Sequence, residues 1–204
     1  MPGCFEIDGV RPVVDPAAFV HPDATLIGDV IIGPDTYIAP FASLRGDFGR
    51  IAVGAGSNVQ DSCVLHAFPG RDLVIETEGH IGHGAILHGC AIGAGVLVGM
   101  NSVVMDGARI GARSFVGANS FVPADFEVPD GHLAVGSPAT VARELTEAEI
   151  AWKANGTRVY QDLARRSRQT MRPVAPHAHP EPERPRVATG LDTAVPLREF
   201  RDQG

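Results

Sequence analysis

Three histidines, His66, His83 and His88, lie within a short stretch, preceded by Arg45, Asp47, Gln60 and Asp61. Three imidazoles suit a divalent metal. Neutral imidazoles hold Zn2+ (or Fe2+) with Zn–N near 2.0–2.1 Å and leave a position for water, whose pKa falls to about 7. The hydroxide so formed can attack CO2 or a thioester carbonyl, and the ion stabilises the oxyanion that results. A thioester is a good target because thiolate leaves readily. By contrast, Cys4, Cys63 and Cys90 have no metal-ligand spacing and read as reduced thiols of a cytoplasmic protein.

Whether the histidines can meet depends on the elements that carry them. Aliphatic residues recur every six positions at Val20, Leu26, Ile32, Ile38 and Leu44, then at Val53, Val59 and Leu65, then at Ile81 and Leu87. The series runs on from Ile92 through Val98, Val104, Ile110, Val116 and Val122 to Val128. Two positions earlier the residue is small, as at Ala42, Cys63, Ala85 and Cys90, and one position later it is often Gly. A period of six fits neither an amphipathic helix nor a long strand. It fits a short strand and a turn, with the aliphatic residue inward and Gly relieving strain at the corner. Three sides close a coil of 18 residues, and the 17 hexads make about six coils stacked at ~4.8 Å. The fold predicted for residues 1–140 is an all-β solenoid, a parallel β-helix of hexapeptide repeats.

Four positions give up the corner glycine for a large polar residue: Arg45, Gln60, His66 and His88. From Leu65 to Leu87 is 22 residues, one coil plus an insertion that projects near 67–72. His66 and His88 therefore stack one coil apart, Arg45 heads the same column, and Gln60 and His83 come near one another. Two stacked imidazoles can share one metal. His83, across a corner, would more easily reach a metal held by another copy. This predicts a homotrimer with His66 and His88 of one chain and His83 of the next around each ion. His21, His80 and His132 read as ordinary surface residues, His177 and His179 as tail residues, and Cys63 and Cys90 as core.

Composition changes near residue 140. Residues 1–140 hold 21 of the 24 glycines and a net charge of −9, whereas 141–204 carry +2. The acidic total of −7 excludes a general nucleic-acid binder, and no apolar run approaches a membrane span. The start MPGCFEIDGVRP has no apolar core of a secretory signal. Thr146–Glu149 reads as a capping box opening a helix within 141–172 that packs along the solenoid and is broken at Asn155-Gly156. The Pro-rich stretch 173–204 reads as an extended or disordered tail.

Leu44-Arg-Gly-Asp47, Asn58-Val-Gln-Asp61, His66, and His80-Ile-Gly-His83 with His88 resemble the γ-class carbonic anhydrase superfamily. The segments RGDFGRI, NVQDSCVLHAFP, GHIGHGAILHGC and VGMNSVVMDGA, with ELTEAEIAWKANGT later on, are similar to its phenylacetate-degradation branch. The resemblance implies a left hand for the helix, homotrimers, a metal on His66, His83 and His88, and a polar surround from Arg45, Asp47, Gln60 and Asp61. For that branch it implies hydrolysis of CoA thioesters in phenylacetate catabolism. Gln60 would orient the nucleophile or substrate, while Arg45 and Asp61 hold trimer and site together. Archetypal members carry proton-shuttling glutamates on the loops around the metal. Here Phe48 and the run Ala67-Phe68-Pro69 stand there, which disfavours fast CO2 hydration and gives an apolar rim suited to an acyl group. The other readings are carbonic anhydrase, a hexapeptide acyltransferase and a non-catalytic assembly protein.

Overall fold

The computed structural model describes residues 3–187 together with 195, 196 and 199. Among the described residues it is a left-handed parallel β-helix of hexapeptide repeats followed by a long C-terminal helix. On the first face the parallel strands Gly3–Phe5, Thr25–Ile32, Ser43–Val53, Val64–His66, Ile86–His88, Val103–Val104 and Phe121–Val122 follow one another. That makes seven turns, one more than the hexads suggest. The second face runs from Val13–Val14, along the far halves of the two long strands, to Glu127–Val128. The third carries Phe19–Val20, Tyr37–Ile38, Asn58–Val59, His80–Ile81, Leu97–Val98 and Phe115–Val116. It ends in an antiparallel hairpin, His132–Gly136 with Ala139–Glu144.

The hexad aliphatics fill the prism. Leu26, Leu44, Leu65, Leu87, Val104 and Val122 stack up one face, each fully buried. Cys63 and Cys90 are buried among them, and burial pushes their thiols up to about 11 and about 12. The corner glycines work differently from the reading of strained φ. A Cβ on Gly99 would run into the backbone of Gly117 and Ala118 in the next coil, so glycine is set there by close approach. The left-handed residue comes two places later, at Gly84, Gly95, Asn101, Arg113, Asn119 and Asp125, and need not be glycine.

Helix α1, Glu147–Thr170, opens on the expected capping box, with Thr146 and Glu149 satisfying each other's backbone amides. Arg143 pairs with the buried Glu149 carboxylate at 2.7 Å. The helix is unbroken at Asn155-Gly156, contrary to expectation. A mid-helix glycine costs about 1 kcal/mol, and docking outweighs it: Lys153, Thr157, Ala164 and Ser167 are buried. The helix packs on Phe19–Val20, Tyr37–Ile38 and Asn58–Val59. Lys153 Nζ donates to the Glu78 carbonyl, Gln161 to Gly56 at 3.2 Å and Arg168 to Ala17 at 3.0 Å. Described residues 171–187 contain no helix or strand, and the rest of the expected tail falls largely outside the described residues.

Candidate functional site

Coil register brings the first two histidines together. Arg45, His66 and His88 are successive partners across adjacent strands, the stacking that the residue spacing requires. The imidazoles of His66 and His88 lie 5.0 Å apart, with His66 Nδ1 and His88 Nε2 facing each other at 3.0 Å. Behind each ring stands a carboxylate: Asp47 Oδ1 is 3.0 Å from His66 Nε2, and Asp106 Oδ1 is 2.6 Å from His88 Nδ1. When those outer nitrogens donate to carboxylates, the two facing nitrogens present lone pairs. Two lone pairs this close need a cation between them, a proton or a metal ion. Two imidazole nitrogens on one tetrahedral Zn2+ sit roughly 3.3 Å apart, so the donor set fits a metal after the rings part by about 0.3 Å and tilt towards it.

Asp47 is shared between His66 and Arg45, whose Nη1 is 2.6 Å away. Burial works to raise the Asp47 pKa, but hydrogen bonds from Arg45 and His66 outweigh it and hold the carboxyl below its ordinary value. Phe48 lies 5.3 Å from the His66 ring and Phe68 6.0 Å from His88, both more than 40% exposed. The two aromatic rings flank the histidine pair. The Phe68 loop is closed by mutual backbone bonds with Arg71, and Arg71 is tied to Asp125 at 2.6 Å.

His83 is not part of that pair. It sits on the neighbouring corner, half exposed, with Nδ1 2.8 Å from Asp61 Oδ2. Among the described residues of one chain, no three metal-binding side chains converge. Gln60 does come to the His83 side, and both line a groove of about 360 Å³ bordered by Leu97, Trp152 and Tyr160. Gln60 Nε2 donates to Asn58 Oδ1 at 2.9 Å and lies 2.7 Å from His80 Nε2. Asn58 Nδ2 stands 3.3 Å from His80 Nδ1, and a neutral imidazole can accept from only one of the two amides.

His80 is not the surface residue the sequence suggests. Its ring packs edge-on against Tyr160 at 5.2 Å, under α1. Burial pushes its pKa down to about 3, assisted by the positive charges of Lys153 and His83. In the unfolded chain the same group titrates at its ordinary 6.5. Between these values only the unfolded chain takes up the proton. Its contribution to stability is complete above pH 6.5 and is lost as the pH falls towards 3, at about 1.4 kcal/mol per pH unit. A His80→Asn variant should show a shallower acid slope in urea melts between those limits, and identical slopes would contradict this assignment.

Two residues of the site escaped the sequence reading. Asp106 follows His88 by 18 residues, one coil, which was the available signal. His80 could not be read as half-buried because α1 packs on it from far along the chain.

A family profile described as bacterial transferase hexapeptide (six repeats) matches residues 89–124. The carnitine operon protein CaiE of Salmonella agona is 53% identical over 188 residues, 92% of this chain and 95% of that protein. CaiE of Escherichia coli K12 is 50% identical over 194 residues, covering 95% and 98%. Among solved structures, a hexapeptide transferase family protein from Anaplasma phagocytophilum is 40% identical with TM-score 0.77, covering 80% of this chain and 96% of that one. These relatives overturn the reading as a CoA-thioester hydrolase of phenylacetate catabolism. The segments that suggested it carry the coil geometry and the imidazoles, features that specify a fold and a donor set but no substrate. At half identity along nearly the whole length, the chain belongs to the CaiE family of γ-carbonic-anhydrase-like hexapeptide-repeat proteins.

Proposed function

We propose that the protein transfers an acyl group from a thioester donor to a small hydroxyl or amine acceptor, at a metal site completed where two copies of the chain meet. The observation that carries this reading is the facing pair His66 Nδ1 and His88 Nε2 at 3.0 Å, each ring backed by a carboxylate. His83, with Asp61 behind it, supplies the third imidazole from the next copy. The bound ion would act as a Lewis acid on the acyl carbonyl. Asp47 and Asp106 hold the rings, Gln60 lines the approach beside His83, Phe48 and Phe68 flank the acyl chain, and the acceptor's proton leaves with the thiolate as free thiol. Transfer in place of hydrolysis is supported by that apolar rim and by the transferase descriptions of the matched profile and the Anaplasma protein.

Assembly is supported by an outward apolar column beside the histidines. Val64, Ile86, Val103 and Phe121 stack across successive strands, and Val64, Ile86 and Phe121 are 38–43% exposed. The pair on one face and His83 on another corner require a heterologous contact, which closes as a ring, here a trimer. The three cysteines, none in a disulfide, support a reducing, cytoplasmic setting.

The test is release of free CoA from short acyl-CoA donors, with and without a panel of acceptors. Carnitine belongs in the panel, since the relatives' name mentions it and it presents one hydroxyl. Release that needs an acceptor and disappears in His88→Ala is expected. Release indifferent to every acceptor overturns the reading. CO2 hydration is the second reading, favoured by three carboxylate-backed imidazoles and weakened by the aromatic rim. A stopped-flow assay on the same metal-loaded sample separates the two.

A further inference from the structure

We infer that Asp106 is a positioning residue that sets the orientation and tautomer of His88 for metal capture; this rests on the metal-site reading above. The contact is short and direct, Asp106 Oδ1 to His88 Nδ1 at 2.6 Å, and both side chains are mostly shielded, 23% and 26% exposed. With its Nδ1 proton committed to Asp106, His88 turns Nε2 towards His66 Nδ1. The opposite tautomer would leave a carboxylate facing a lone pair and close the ligand position with a proton.

The surroundings are cut to fit this contact. The hexad after Leu87 is one residue short, and the chain turns there at Gly89, φ +48°. A Cβ on Gly89 would lie 2.7 Å from Asp106 Oδ1 and 3.2 Å from Phe68 Cβ. Glycine at 89 therefore keeps open the space that the carboxylate occupies. One coil above, Gly107 donates its amide to the Gly89 carbonyl at 2.8 Å and fixes the spacing of the two turns. The nearby cation does not compete, because Arg71 is held by Asp125 at 2.6 Å. The Phe68 ring meets the His88 ring edge-on, with centroids 6.0 Å apart. Asp106 thus has one task for which its neighbours make room, and it lies behind the imidazole, out of reach of a substrate on the metal side.

Carboxylates behind metal-binding histidines raise ligand basicity and lock the ring, and their loss weakens metal binding by about 10–100-fold. The experiment measures Zn2+ affinity of the full chain by chelator competition, and the absorption spectrum of the Co2+-loaded chain. Four chains are compared: wild type, Asp106→Asn, Asp106→Ala and Gly89→Ala. Asparagine keeps the shape and loses the charge, so Asp106→Asn should bind metal at least about tenfold more weakly, with metal-free melting unchanged. Asp106→Ala should lose more, and Gly89→Ala should follow it because the added methyl displaces the carboxylate. Wild-type affinity in Asp106→Asn would overturn the inference while leaving the metal site standing. A wild-type chain that takes up no metal would overturn both. A change in melting with unchanged affinity would make Asp106 a merely structural residue and also overturn it.

Discussion

Mixed trimers of His83→Ala and His88→Ala chains are expected to regain activity and bound metal that neither variant shows alone. If each site takes His66 and His88 from one copy and His83 from the next, each pure variant has every site damaged. In a 1:1 mixture assembled at random, an interface has both intact halves in about one case in four, so about one quarter of wild-type metal content and turnover should return. The variants would be co-expressed, or unfolded together and reassembled, then assayed for bound Zn2+ and for acyl transfer. No recovery, in a mixture that sedimentation shows to be trimeric, would mean that the three imidazoles do not meet across an interface. The separation of His83 from the His66–His88 pair within one chain motivates the experiment.

Leu87→Ala should be among the most damaging single changes to stability. Leu87 is fully buried, lies directly before His88, and is stacked between Leu65 and Val104. Core leucine truncations cost about 2–5 kcal/mol, more where the site cannot collapse. Here backbone hydrogen bonds hold the coils at a fixed spacing, so the cavity stays open and the upper half of that range applies. For a chain of this size each kcal/mol shifts the melting temperature by about 2–4 °C, so a drop on the order of 10 °C is expected. Val74→Ala, an outward position on another face, is the control. If thermal melts showed equal losses for the two variants, the stacked aliphatics would not be the main support of the solenoid.

Much of this architecture is written in local spacing. The hexads carry the inward residue of each side, and one-coil offsets predict that His66 meets His88 and that Arg45 lies beyond them. The same arithmetic reaches Asp106 once a carboxylate is sought one coil after a histidine. What spacing cannot reveal is where a distant element comes to rest. His80 occupies an outward position and is half-buried where Asn58, Gln60 and Tyr160 of α1 pack against its ring. The helix itself runs through Asn155-Gly156 because its docked face outweighs a local preference. The antiparallel hairpin His132–Gly136 with Ala139–Glu144 ends the repeat without an aliphatic mark of its own. Substrate is the least legible property, since the motifs around the imidazoles report donor geometry and leave the acceptor unspecified.

The docking of α1 changes how the molecule should come apart. A stack of coils in which each touches only its neighbours can fray from either end, one turn at a time. Here the chain reaches the far end of the stack, turns, and sends a helix back to its beginning. Arg168 bonds to Ala17, Gln161 to Gly56 and Lys153 to Glu78, so residues far apart in sequence close against one another across several coils. The helix acts as a clasp: the first coils cannot loosen without releasing α1. Such closure raises contact order, which slows folding, and joins the terminal turns to the central ones in a single cooperative transition. Docking of this helix therefore decides when the first turn becomes permanent.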